Sequence, residues 1–266
     1  MKQLLIFACS ILLFSCQKVI DIKPKDGEVK VIIQGYLYTD SIIKVRIAKS
    51  TNYLSPISPP GLGTAVITLS DNHGNSEVLT WNPVNKIYKG NALLGVVNDT
   101  YTLKVEFEGK TYVASSLLPY LEHADTIKII KKPKTTIQDE KYEMKLYATI
   151  STSTDFYYLF KGYADNRFLN GPNDIYYADN KNLNGNLNGI DIGYDEYKVG
   201  EVAKLELYSL TEAAYKFYDA ASLQLNNDGG FFSTPPANVP SMFDKGAIGL
   251  FQCSDIQVLT TTVLAQ

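Results

Sequence analysis

Apolar positions recur at every second residue through much of this chain. Across residues 101–108, Tyr101, Leu103, Val105 and Phe107 take one face and Thr102, Lys104, Glu106 and Glu108 the other. Period-two alternation over eight positions predicts a strand with one buried and one wet face. Gly109 and Lys110 then turn the chain, and residues 111–114 return it. Upstream, residues 29–37 are rich in β-branched side chains, and residues 43–47 alternate apolar with basic. Residues 65–70 read as another strand. Asp71, Asn72, His73, Gly74 and Asn75 supply turn chemistry, and residues 77–81 return as the hairpin partner. Short strands punctuated by turns predict a β-sandwich over residues 29–119.

The second unit, residues 120–266, continues in the same style. Residues 126–131, 141–150, 156–163 and 202–208 are strand-like, and 165–200 is an Asn/Gly/Asp/Tyr-rich stretch of loops with short strand pieces. One helix is predicted near 210–225. Ser209 and Glu212 fit a capping box, and Leu210, Ala213, Ala214, Phe217, Tyr218, Ala221 and Leu225 share one helical face. Residues 226–230 stop it. A Pro-rich loop over 234–240 leads to a last strand at 247–251, and no internal repeat is visible.

The N-terminus is different in kind. Lys2 precedes an apolar run from Leu4 to Phe14. That run is shorter than the ~20 apolar residues that a membrane-spanning helix needs, and it fits the apolar part of a secretory signal. It ends in Leu13, Phe14, Ser15 and Cys16, which resembles the lipobox of bacterial lipoproteins. The resemblance implies cleavage after residue 15 and lipidation of Cys16, with residues 16–28 as a tether. Several acyl chains, at ~0.8 kcal/mol per buried methylene, hold a soluble domain at a membrane.

Composition narrows the function. Cleavage leaves 251 residues and removes one lysine, taking the formal charge from −3 to −4. An acidic balance argues against nucleic acid, which needs a basic patch to displace counterions. The chain has three cysteines. With Cys9 in the signal and Cys16 lipidated, Cys253 has no disulfide partner, and its apolar setting predicts a buried, inert thiol.

Catalytic chemistry finds little footing. His73 falls in a predicted turn and His123 in the link between units. There is no HExxH motif, no paired-Cys ligand set, no Gly-rich phosphate loop and no Gly-x-Ser-x-Gly elbow. The expectation is a protein with no enzymatic activity and no cofactor. Asn180, Asn182 and Asn184, with Gly185 next and Asp191 at the twelfth position, echo the spacing of a calcium loop. The early ligands are neutral and no helices flank them, so an Asn-Gly turn is the favoured reading and no metal is expected. The aromatic doublets Tyr157-Tyr158 and Tyr176-Tyr177 and the pair Phe231-Phe232 offer ligand-binding surface. Loops 52–63, 165–200 and 231–244 are the candidate contact regions.

Several segments together resemble one family. These are residues 16–21 (CQKVID), 31–36 (VIIQGY), 65–71 (AVITLSD), 101–103 (YTL) and 109–112 (GKTY). Most specific are residues 215–224 followed by PPANVP at 235–240 and GAIGLF at 246–251. The chain resembles the Bacteroidota outer-membrane lipoproteins that carry a single domain of unknown function, the DUF4249 family. That resemblance implies an immunoglobulin-like first part, a lipid anchor in the outer membrane and companionship with a TonB-dependent transporter in nutrient capture. A structural or adhesive envelope role without a small ligand is the alternative. The family carries over no catalytic residues.

Overall fold

The computed structural model describes residues 28–51, 58–136, 139–151, 153–171, 174–181, 185–227 and 238–265. Within them the chain is mainly β. The first unit holds β1 (Val31–Tyr38), β2 (Ile42–Lys49), β3 (Val66–Asp71), β4 (Ser76–Val78), β5 (Thr80–Asn82), β6 (Ile87–Leu94), β7 (Thr100–Phe107) and β8 (Lys110–Leu117). One sheet runs β1-β2-β6-β5 and the other β4-β3-β7-β8. Lettering these strands A, B, C, C′, D, E, F and G in chain order gives an ABED sheet facing a C′CFG sheet, the immunoglobulin-like arrangement. The faces meet in one core where Ile33, Val45, Ile47, Ile67, Leu69, Leu103 and Val105 are fully buried.

A tyrosine corner closes this sandwich. Tyr101, fully buried at the start of β7, donates through its hydroxyl to Leu94 O at 2.9 Å and accepts from Val96 N at 2.8 Å. This is the position from which such a tyrosine ties the E–F corner. Tyr101→Phe leaves a buried carbonyl and amide without partners. It is expected to cost about 1–3 kcal/mol, read as a lower urea midpoint with an unchanged slope.

The stretch expected to return as one hairpin strand, residues 77–81, divides instead. β4 pairs with β3, Leu79 turns inward, and β5 crosses to the opposite sheet to pair with β6. β6 itself is not anticipated from sequence, because Gly90 and Asn91 interrupt its pattern. Its irregular middle is held by Glu77, whose carboxylate accepts from the backbone N–H groups of Asn91, Ala92 and Leu93.

The second unit repeats the arrangement with unrelated side chains. It comprises β9 (Thr126–Lys132), β10 (Lys141–Thr149), β11 (Tyr157–Ala164), β12 (Arg167–Phe168), β13 (Tyr176–Asp179), β14 (Asn186–Asp191) and β15 (Val202–Leu210), then α1 (Glu212–Leu225), β16 (Ile248–Ser254) and β17 (Ile256–Thr262). One sheet is β14-β10-β9. The other is β11-β15-β17, with β12 and β13 both on the far edge of β11. In letters these are ABE and C′CFG. The sequence shows no repeat because strand pairing order does not require matching residues.

The interruption between strands F and G of this second sandwich ties the two units together. After β15 the chain forms α1, then sends β16 into the first unit, where it pairs in parallel with β1 over Ile32–Tyr38. Only then does β17 return to pair with β15. The strand foreseen at 247–251 is therefore part of the first unit's sheet rather than of the second unit. Phe251 and Cys253 enter the first core, and Leu250 joins a third cluster with Leu159, Tyr208, Leu210 and Ala214 under the helix. Cys253 is 1% exposed, and burial raises its thiol pKa, as expected of an inert core cysteine.

The helix begins two residues later than the capping-box pattern suggests. β15 extends through Leu210, and Thr211 is the cap, accepting from Ala214 N at 3.2 Å. Ser209 serves the junction instead: its hydroxyl donates to Pro119 O and accepts from Asp255 N. Glu212 thus stands in the first turn, where the helix dipole favours an acid, and pairs with Lys216.

Candidate functional site

The most unusual side-chain chemistry lies where the outer face of β11-β15 meets the outer face of β1-β16. Alternation along β11 puts Tyr157, Leu159, Lys161 and Tyr163 on one side, and along β15 puts Lys204, Glu206 and Tyr208 beside them. Lys161 is directly opposite Glu206 in the β11–β15 register. From the first unit, β1 presents Tyr36 and Tyr38, and β16 presents Gln252.

Glu206 is the hub. Its carboxylate accepts from Lys204 Nζ at 2.8 Å, Tyr208 OH at 2.7 Å and Tyr163 OH at 3.1 Å. Burial works to raise its pKa, but these donors outweigh that and the net shift is downward. The phenols move the other way. Tyr36, Tyr38, Tyr208 and Tyr218 all have raised pKa values, mainly from desolvation, and Tyr163 is pushed up to about 12. All five are neutral hydrogen-bond donors at ordinary pH.

Lys161 takes no part in the Glu206 network although Glu206 is its register neighbour. Its ammonium stands 4.5 Å from the centroid of the Tyr208 ring, a cation–π placement. Among the described residues it makes no ion pair and no hydrogen bond. Desolvation lowers its pKa, opposed by Glu206. The Tyr208 ring is in turn 5.1 Å from the Tyr38 ring, and Tyr38 is 6.5 Å from Tyr36. Tyr218 on α1 donates to Gln252 Oε1 at 2.6 Å, pinning the helix over β16.

A concavity of about 340 Å³ flanks the same junction, lined by Leu117, Pro119, Tyr120, Phe156, Tyr157 and Leu210 among others. Tyr120 is half-exposed there and stacks on His123 at 6.4 Å.

The residues singled out from sequence fare differently. Tyr176 and Tyr177 lie on β13 and face opposite ways. The Tyr176 ring is 4.7 Å from that of Tyr194, against the second core. Tyr177 turns to the helix, donating to Asp219 at 2.8 Å with its ring edge-on to Tyr215, and burial followed by Asp219 pushes its pKa up to about 12. Their surface is spent on internal packing. Asn180 is 4% exposed, and its amide accepts from Phe156 N and donates to the carbonyls of Ser151 and Thr154, so it holds a loop together. Asp191 accepts from Lys145 Nζ and Gly193 N. No cluster of three or more metal-ligating side chains occurs among the described residues. Cys16, Asn182, Asn184, Phe231 and Phe232 lie outside the described residues. His73 accompanies Asp99 at 2.8 Å in an exposed turn. Sequence reading passed over Lys161 and the Tyr36–Tyr38 pair. The available signal was a lysine alternating with aromatics in YYLFKGY, beside a YLY strand.

Two immunoglobulin-like sandwiches, locked by a strand passed from the second to the first and meeting at a tyrosine-rich seam, define a tandem β-sandwich protein. The family model described as Domain of unknown function (DUF4249) matches residues 17–259, and the chain belongs to that family. No curated protein matches the chain. Among solved structures, a two-domain fibronectin type III segment from chicken tenascin aligns at 10% identity and TM-score 0.23, covering 68% of this chain and 91% of that one. Alpha-2-macroglobulin from Escherichia coli, activated by porcine elastase, aligns at 7% identity and TM-score 0.24, covering 68% of this chain and 18% of that one.

Proposed function

We propose that this protein is a lipid-anchored binding and accessory protein of a bacterial outer membrane, of the Bacteroidota type, serving a TonB-dependent transporter in nutrient capture. The observation that carries the anchor is the apolar run from Leu4 to Phe14 ending in Ser15-Cys16, followed at once by a polar tether. No helix among the described residues is long and apolar enough to cross a membrane, so attachment in this reading falls to the acyl chains. The architecture supports a recognition role: the seam collects tyrosines and a lysine from both units, as binding surfaces built between domains do.

The test is fractionation and mass spectrometry of the native protein. The mature N-terminus is expected to be an acylated Cys16, and Cys16→Ala is expected to move most of the protein from the membrane to the soluble fraction. An unmodified residue 16, or unchanged membrane retention of the variant, would overturn the anchor. Affinity purification from detergent-solubilised outer membrane is expected to recover a large β-barrel in fixed ratio. Recovery of self-assembled protein or matrix components in its place would favour the structural or adhesive role.

A further inference from the structure

We infer that Lys161, together with Tyr36 and Tyr38, forms a binding site for a small carboxylate- or phosphate-bearing molecule at the seam between the two sandwiches. The inference rests on the proposed reading of a capture protein and names the chemistry of what is captured.

Three observations converge. The first is hydrogen-bonding capacity that the fold leaves unused. Lys161 offers three ammonium protons and, among the described residues, gives none to a hydrogen bond or carboxylate. The hydroxyls of Tyr36 and Tyr38 likewise donate to no described residue. A half-buried ammonium with no direct ion pair has its desolvation only partly offset, here by the field of Glu206.

The second observation is that the neighbouring carboxylate is already engaged by three other donors. Glu206 Oε1 is taken by Lys204, and Oε2 by Tyr208 and Tyr163. It thereby fixes Lys204 over the Tyr163 ring, 3.8 Å from the centroid, and leaves Lys161 to Tyr208. Two lysines against one glutamate give the cluster one excess positive charge. The ligand that fits must bring acceptors and negative charge. A neutral sugar would leave that excess charge unanswered, and a cation would meet Lys161.

The third is placement. Lys161 Nζ, the Tyr208 ring and the Tyr38 ring form a series with spacings of 4.5 and 5.1 Å. An anionic group at Lys161 and a further acceptor oxygen at Tyr38 or Tyr36 therefore fall within the length of one small molecule. The tyrosines come from β1 and the lysine from β11, so the site exists only when the two units are docked. The aromatic ring beside Lys161 lowers the local polarity, which strengthens a charge-assisted hydrogen bond.

The experiment is isothermal titration of the folded protein with inorganic phosphate, succinate and glucose, at constant ionic strength. Saturable binding of phosphate or succinate is expected, with the one bound more tightly naming the source chemistry, and glucose giving no heat. Lys161→Gln is expected to weaken binding at least tenfold while its unliganded melting temperature is unchanged or higher. Lys161→Arg is expected to retain it, and Tyr38→Phe to weaken it a few-fold. The same titration on Lys104→Gln, a cation on the other sheet of the first unit, is expected to match the unsubstituted protein. Absence of saturable binding to either anion, equal binding by Lys161→Gln, or equal binding of glucose would each overturn the site. These results are independent of membrane fractionation, so an anchored protein that ignores both anions would refute the ligand class and leave the anchor standing.

Discussion

Gly249→Ala is expected to be the most damaging single-methyl change in the chain, costing the first sandwich about 3–5 kcal/mol, the scale of the severest point substitutions. Gly249 sits in β16 opposite Ile33 of β1, and a Cβ at that position would be driven into the Ile33 carbonyl oxygen, with the Ile33 carbonyl carbon at 2.9 Å and its nitrogen at 3.1 Å behind it. The obstruction is backbone, so no rotamer change relieves it. β16 must move off β1, carrying Phe251 and Cys253 out of the first core. Losing the burial of a side chain such as Phe251 accounts by itself for roughly 3–5 kcal/mol. Because β16 is the tie between units, the two sandwiches should also lose their common unfolding. Urea denaturation followed by tryptophan fluorescence, which reports only Trp81 and hence the first unit, should move to lower urea than circular dichroism. Coincident, unshifted curves would show that β16 does not carry this load.

The second large effect concerns Glu143 on the outer face of β10. Its side chain is 2% exposed, covered by the lysines that surround it: Lys132 at 2.6 Å, Lys145 at 2.9 Å and Lys141 at 3.1 Å. Burial pushes the carboxyl pKa up, but the three ammonium donors prevail and hold it down, from 4.5 to about 2. A carboxylate whose folded pKa is depressed contributes stability that is present above its unfolded pKa and lost as pH falls through the folded one. Here the window runs from about 4.5 down to about 2. Because the lysines are partly solvated, the contribution is discounted to about 2 kcal/mol. Glu143→Gln should therefore be destabilised by about 2 kcal/mol at pH 7, relative to the unsubstituted protein, and the difference should shrink steadily below pH 4.5. Urea midpoints at pH 7 and pH 3 check it; a gap of equal size at both would mean that the loss is one of packing rather than charge.

How much of this was legible beforehand depended on range. β7 was readable residue by residue, since its four inward positions alternate without interruption and all four are buried. β6 was not, because Gly90 and Asn91 break the pattern and the Glu77 carboxylate that repairs it lies on another strand. β16 announced itself as a strand through its continuous apolar run, which is what burial on both faces produces. Nothing local says which sheet it enters, and the parallel pairing to β1 is set by long-range docking. The same limit hid the seam. Lys161 is one of 25 basic residues, and only the fold shows that Glu206 has been claimed by others and that Tyr36 and Tyr38 lie nearby. The tyrosine doublet at 176–177 was visible as aromatic surface, but its partners Tyr194 and Asp219 could be supplied only by the fold.

The pairing of β1 with β16 also orders events during folding. Ile32 and Ile248 are partners across 216 positions of chain. The eight strands of the first sandwich all end by Leu117, yet its leading strand keeps one side unzipped until β16 has joined it. Such a strand edge is a template for stray association, and contacts closed over so long a loop form slowly. A product cut short before Ile248 would thus have a well-formed beginning and an adhesive margin, and timely arrival of β16 is what makes the leading strand safe.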